Sequence, residues 1–255
     1  MIPDMLLRSL GREWQKPRSL PLAGRLGMLS RNNVKLGPRI ASWSLPVVVT
    51  CPGASRECLK TCYARRGRLQ VGNVTRSHER NRKLAESREF VSWMSAELRS
   101  QCVDVLRLHV AGDFYDNKYI RRWQRIIAAN RQVRFFAYTR SWAVPDYQSA
   151  LKRLAQEPNL QLWLSTDHSM PEPPRWPGCR TCYLMKTDLD QPPYPVDLAF
   201  RNRAKTLMKR TTNGSLVCPF ENGVTTLTCS QCKLCWQPPR QESLHRVPQY
   251  HDATT

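Results

Sequence analysis

The stretch that decides the fold is residues 105–165, VLRLHVAGDFYDNKYIRRWQRIIAANRQVRFFAYTRSWAVPDYQSALKRLAQEPNLQLWLS. Val105–Ala111 reads as a strand ending in a turn at Gly112-Asp113. Asn117–Asn130 reads as a helix, because Ile120, Trp123, Ile126 and Ile127 recur on one face at helical spacing. Val133–Thr139 is the next strand, Pro145–Gln156 the next helix and Leu160–Ser165 the third strand. Strands and helices alternating at near-constant spacing imply parallel strands joined by right-handed crossovers.

Outward from this stretch, Ser42–Thr50 (SWSLPVVVT) is apolar and β-branched, which predicts a buried strand running into Cys51, weakened at Pro46. Residues 76–101 lack Gly and Pro and carry Leu84, Val91, Met94 and Leu98 at helical steps, which predicts one helix. Further strands are expected near Val196–Phe200 and Ser215–Cys218, and a Pro-rich irregular loop over residues 171–195. Five or six strands suit an open or partial α/β barrel better than a complete eightfold one. The organisation expected is a basic, partly ordered leader (1–41) and a partial α/β barrel (42–210). A C-terminal cysteine-rich metal-binding extension (211–236) and a flexible tail (237–255) follow.

The apolar fraction of 41% and eight tryptophans among 255 residues argue for a folded globule. Forty Lys and Arg against 20 Asp and Glu give a net charge of +20, a field that attracts polyanions, nucleic acid first among them. No RNP-like or helix-turn-helix signature chooses between DNA and RNA. No apolar run is long enough for a membrane helix, and the N-terminal residues lack the apolar region of a secretory signal. A cytoplasmic location is expected, where cysteines stay reduced and closely spaced pairs signal metal or redox chemistry.

Seven of the ten cysteines form two clusters. Cys51, Cys58 and Cys62 follow the first strand, at the sheet edge where parallel α/β folds place their active sites. Three thiolates leave a metal position open, and the alternative is a zinc-capped loop with His78 or His109 as fourth ligand. Cys218, Cys229, Cys232 and Cys235 make a closed set whose C-x2-C-x2-C run favours a [4Fe–4S] cluster, with zinc as the alternative. Cys179 and Cys182 could instead join two of them in a zinc ribbon. Lone Cys102 reads as a small buried residue. His109 reads as a core histidine, while Tyr138, Thr139, Arg140, Ser165 and Asp167 end strands where a ligand would be touched.

TCPGASRECLKTCYA (50–64), LHVAGDFYDNKYIRRWQRII (108–127), VRFFAYTRSW (133–142) and LQLWLSTD (160–167) together resemble the phage and plasmid gene product 88 family. That family in turn is similar to radical S-adenosylmethionine (radical SAM) proteins. The resemblance implies a partial α/β barrel with a [4Fe–4S] cluster on Cys51, Cys58 and Cys62, its fourth iron free for S-adenosylmethionine. It also implies that Gly112 and Asp113 hold the methionine amino group; on its own, Gly-Asp after a strand reads as a turn or helix cap. The C-terminal quartet resembles an auxiliary cluster. The trio departs from the usual radical SAM pattern: its spacing is C-x6-C-x3-C, and Thr61, not an aromatic residue, precedes its last cysteine. Hydrolase and kinase signatures are absent. The expectation is a radical-SAM-like iron–sulfur protein acting on or binding nucleic acid. The alternative is a non-catalytic, metal-stabilised nucleic-acid-binding accessory protein.

Overall fold

A computed structural model describes residues 27–201, 206–222 and 227–237. Six strands form one parallel sheet: β1 (Ile40–Trp43), β2 (Val105–Leu108), β3 (Arg134–Thr139), β4 (Leu160–Thr166), β5 (Cys179–Met185) and β6 (Leu198–Arg201). Their spatial order is their chain order. With no reversal point, the crossover helices fall on one face and the sheet curls into a half-barrel with an inner face of its own.

The helices are α1 (Arg56–Thr61), α2 (Gly72–Glu86), α3 (Phe90–Ser100), α4 (Asn117–Ala129), α5 (Pro145–Leu154) and α6 (Cys229–Cys232). In α4, Asp116 caps the N-terminus by accepting from the Tyr119 amide at 2.6 Å. Its buried face, Tyr119, Ile120, Trp123, Ile126 and Ile127, lies against the outer side of the sheet. Trp43, Phe90 and Trp123 meet there at ring separations of 5.3–5.9 Å, locking β1, α3 and α4 together. The inner face carries a separate core of Ile40, Val105, Phe136, Trp163, Cys182 and Leu198, onto which Cys218, Cys229 and Cys235 pack.

Several expectations are corrected. The first strand ends at Trp43, and Val47–Thr50 is a turn in which Val48 takes φ of +71° and Val49 is exposed. Pro46 has no amide to continue the ladder, and the Thr50 hydroxyl donates back to its carbonyl at 2.6 Å. The helix expected over 76–101 is two, because the Ser87 hydroxyl bonds Glu89 and ends the first run. β2 stops at Leu108, where His109 turns the chain at φ of +60°.

The Pro-rich segment 171–195 contains β5, because its prolines flank 179–185 without entering it. Ser215–Cys218 contributes single bridges, not a strand. Cys102 is exposed, not buried. Residues 1–26 of the expected leader and 238–255 of the expected tail lie outside the described residues, and β1 begins at Ile40, within the leader's limits. Among the described residues, no helix is long and apolar enough to cross a membrane.

Candidate functional site

The trio sits beyond the strand ends and the quartet against the inner face of the sheet. The trio lies beyond the C-terminal ends of β1–β3. Ser55 caps α1 by accepting from the Cys58 amide at 2.9 Å, and its hydroxyl donates to Asp167 Oδ2 at 2.5 Å. Arg140 Nη1 donates to the same oxygen at 2.5 Å, an ion pair almost sealed from solvent. Asp167 Oδ1 takes the Ser169 amide and hydroxyl, so the carboxylate is fully engaged. Residues just after β3 and β4 thus clamp the loop that carries the trio.

Asp113, after β2, is buried. Its Oδ1 accepts from the Phe114 amide at 2.7 Å and its Oδ2 from the Arg140 amide at 2.8 Å. Burial pushes its carboxyl up to about 6, while the Thr139 hydroxyl and those two amides pull the other way. Gly112 takes φ of +82°, and a Cβ there would stand 2.7 Å from both Leu45 Cβ and Thr50 Oγ1. It lets the β2 end lie flat against the turn leading to Cys51, and the Asp113 amide donates to the Thr50 carbonyl at 3.0 Å.

Burial raises the Cys51 thiol to about 12, helped by Asp113, Cys58 and Cys62. Burial also raises Cys58, with Arg140 opposing. The three thiols therefore sit close enough to feel one another and the Asp113–Arg140–Asp167 group. Cys51 and Cys58 are held protonated, so a metal binding here must displace their protons.

Gly53 is a residue that sequence reading missed. A Cβ on it would overlap the Arg140 carbonyl and stand 2.7 Å from the Ser141 amide nitrogen. The only hint in the sequence is a Pro-Gly directly after Cys51. Gly53→Ala is expected to lift the trio loop off β3 at a cost of about 1–3 kcal/mol, the usual range for overpacking. Urea unfolding midpoints check this, and a wild-type midpoint would show that the contact is soft.

The quartet lies against the inner face of the sheet. The Cys229 amide donates to the Lys35 carbonyl at 2.8 Å and the Ser230 amide to that of Leu36 at 3.0 Å. Thr228 and Gln231 form a reciprocal capping box on α6. Trp163 Nε1 donates to the Cys235 carbonyl at 2.9 Å, and the Cys218 amide pairs with Ala199 of β6. All four cysteines line one small, partly open cavity, with Leu198 and Phe220 among its walls. Burial raises all four thiols, Cys218 to about 12. Among the described residues, no three His, Cys, Asp or Glu side chains are drawn together so as to hold a metal ion.

The zinc ribbon with Cys179 and Cys182 is ruled out by strand geometry. Three residues apart on β5, Cys179 packs toward the helix face and Cys182 toward the inner face. His109 is a core histidine: its Nε2 meets the Tyr119 hydroxyl at 2.9 Å, and burial lowers it to about 3. His78 is buried on α2.

The molecule is an α/β protein of the parallel half-barrel class, with one cysteine-bearing loop beyond its strand ends and another cysteine-bearing segment against its inner face. It matches the "Gene product 88" family over residues 22–238 and belongs to that family. The "Gene 88 protein" of Mycobacterium phage L5 is 33% identical over 131 residues, covering 46% of this chain and 52% of that protein. The "Gene 88 protein" of Mycobacterium phage D29 is 31% identical over 131 residues, with the same coverage. The chain spans about half the length of these curated relatives. No solved structure matches it.

Proposed function

We propose that the chain is a radical-SAM-like iron–sulfur protein that acts on nucleic acid. The observation that carries this reading is the gathering of Cys51, Cys58 and Cys62 beyond the C-terminal ends of a parallel half-barrel, over the Asp113–Arg140–Asp167 group. Three thiols fit a [4Fe–4S] cluster with one iron left for an exogenous ligand. The Asp113 carboxylate takes the Phe114 and Arg140 amides and the Thr139 and Ser141 hydroxyls, so it would accept from the amino group of S-adenosylmethionine by exchanging one of those donors. When bound, a cluster and S-adenosylmethionine together supply hydrogen-abstraction chemistry.

The residues of the chain itself bind and position. Arg56, Lys60, Arg65, Arg66, Arg68 and Arg76 crowd the surface around the trio loop, all exposed. None pairs with a carboxylate among the described residues. They are free to take phosphates. Exposed Tyr63, next to Cys62, offers a ring against which a base can stack.

The quartet fits a second cluster as its donor set. Its four thiols line one cavity, and four thiolates close the coordination of either a cluster or a zinc ion.

The test is anaerobic purification with iron and sulfide analysis, then electron paramagnetic resonance of the reduced protein with and without S-adenosylmethionine. About four irons per cluster and a signal altered by S-adenosylmethionine are expected. Colourless protein holding zinc alone would sink the iron–sulfur reading and leave a metal-stabilised nucleic-acid-binding accessory protein. A shallow dependence of log K on log salt would remove the nucleic acid.

A further inference from the structure

Lys35, Arg107 and Arg180 lie on or beside the inner face of the half-barrel, and Lys35 and Arg180 are accounted for. Lys35 pairs with Glu221. Arg180 donates to the carbonyls of Leu234 and Gln237 and faces Asp197. Arg107 has no such partner.

Arg107 sits in β2 between Leu106 and Leu108, which point to the helix side, so its own side chain points inward. Its Nε is sealed from solvent with no hydrogen bond, and no carboxylate is paired with it. Its guanidinium lies 5.2 Å over the Tyr138 ring. Tyr138 lies beside it, with Tyr63, Cys229 and Cys235 within electrostatic reach, and the two cysteines become anionic only as thiolates. A half-buried cation with no paired carboxylate is costly, and such positions persist where an anion faces them. Four thiolates around either a zinc ion or an oxidised [4Fe–4S] core make a dianionic group, which is what this cation lacks.

We infer that Arg107 is the counter-charge of the metal–thiolate group in the quartet cavity, a positioning residue that holds the metal in place without ligating it. The inference rests on the quartet binding a metal, as proposed above, and it holds for either metal.

The experiment compares wild type, Arg107→Met and Arg107→Lys in a background with Cys51, Cys58 and Cys62 replaced by alanine, so that the quartet is the metal holder. Metal release to a chromogenic chelator is followed, with bathophenanthroline disulfonate for iron and pyridylazoresorcinol for zinc. Arg107→Met is expected to release metal about 10–100-fold faster, as removal of outer-shell partners does elsewhere, and Arg107→Lys to stay near wild type. If iron is present, the cluster's midpoint potential also shifts to more negative values in Arg107→Met, because the reduced, more anionic state loses its cation.

Stripped of metal, Arg107→Met is expected to melt at or above wild type, since a half-buried charge with no paired carboxylate has been removed. A purely structural role, through the Tyr138 stack, would lower the melting temperature in the metal-free form too. That outcome, or unchanged release, overturns the inference. Zinc in place of iron overturns only the iron–sulfur reading, whereas a background protein that holds neither metal overturns both.

Discussion

Asp167→Ala is expected to lose about 3–5 kcal/mol of stability at neutral pH, the cost of leaving one member of a buried ion pair alone. Arg140 would keep its charge in a site where its side chain is 6% exposed, and Ser55 would lose the acceptor that holds the α1 cap in place. Burial works against the Asp167 carboxylate, yet Arg140, Ser169 and Ser55 outweigh it and hold the group below the usual range. A depressed acid stabilises the fold above the unfolded pKa, about 3.9, and that contribution fades as pH falls through the folded value. Urea unfolding at pH 7 and near pH 3 checks this: the gap between wild type and variant should be wide at pH 7 and narrow in acid. A gap independent of pH would show that the lost packing, not the charge, was responsible. Asp167→Asn, with the same shape, separates the two.

Cys232→Ala is the second large effect. Cys232 is the least enclosed of the quartet: Cys218, Cys229 and Cys235 belong to the inner core, and Cys232 does not. Removing its sulfur for packing reasons alone should therefore cost little. As a metal ligand its loss is severe, because structural metal sites contribute on the order of 10–16 kcal/mol of apparent binding energy to the folded state. The variant is expected to lose the quartet's metal and to melt well below metal-loaded wild type, while the two metal-free proteins melt together. Metal content by mass spectrometry and paired thermal melts decide it. A variant that retains full metal would remove Cys232 from the site.

The alternating core from β2 to β4 was legible because each element carries its own period: Ile120, Trp123, Ile126 and Ile127 can be nothing but a helix face. The trio's place after the first strand was legible for the same reason. What escaped was set by single residues or by distant partners. Pro46 outweighs three valines in ending β1, and Ser87 splits a helix that composition alone would run through. β5 hid because prolines on either side mask a short strand that draws its stability from β4 and β6. The Arg140–Asp167 pair was visible only as two polar residues at strand ends, and nothing in the sequence says that Gly53 must lie against residue 140. Least legible was the quartet's seat: the contacts of Cys229 and Ser230 with Lys35 and Leu36 join opposite ends of the described chain.

That junction has a consequence for how the molecule is made. Residues 35–37 lead into the first strand, yet their covering partner is α6, synthesised after every strand is complete. Gly37 leaves space only for that partner: a Cβ on it would stand 2.9 Å from Thr228 Oγ1. A contact this distant in sequence closes a long loop and forms late. On the ribosome, the half-barrel can assemble strand by strand while its inner face, with Phe136 and Trp163, waits uncovered. Among the described segments, the one that seals it emerges last. Maturation of this protein is thus a closing step made by the segment that bears the quartet, and a chain stopped short of Cys229 would present an open apolar trough to the cell.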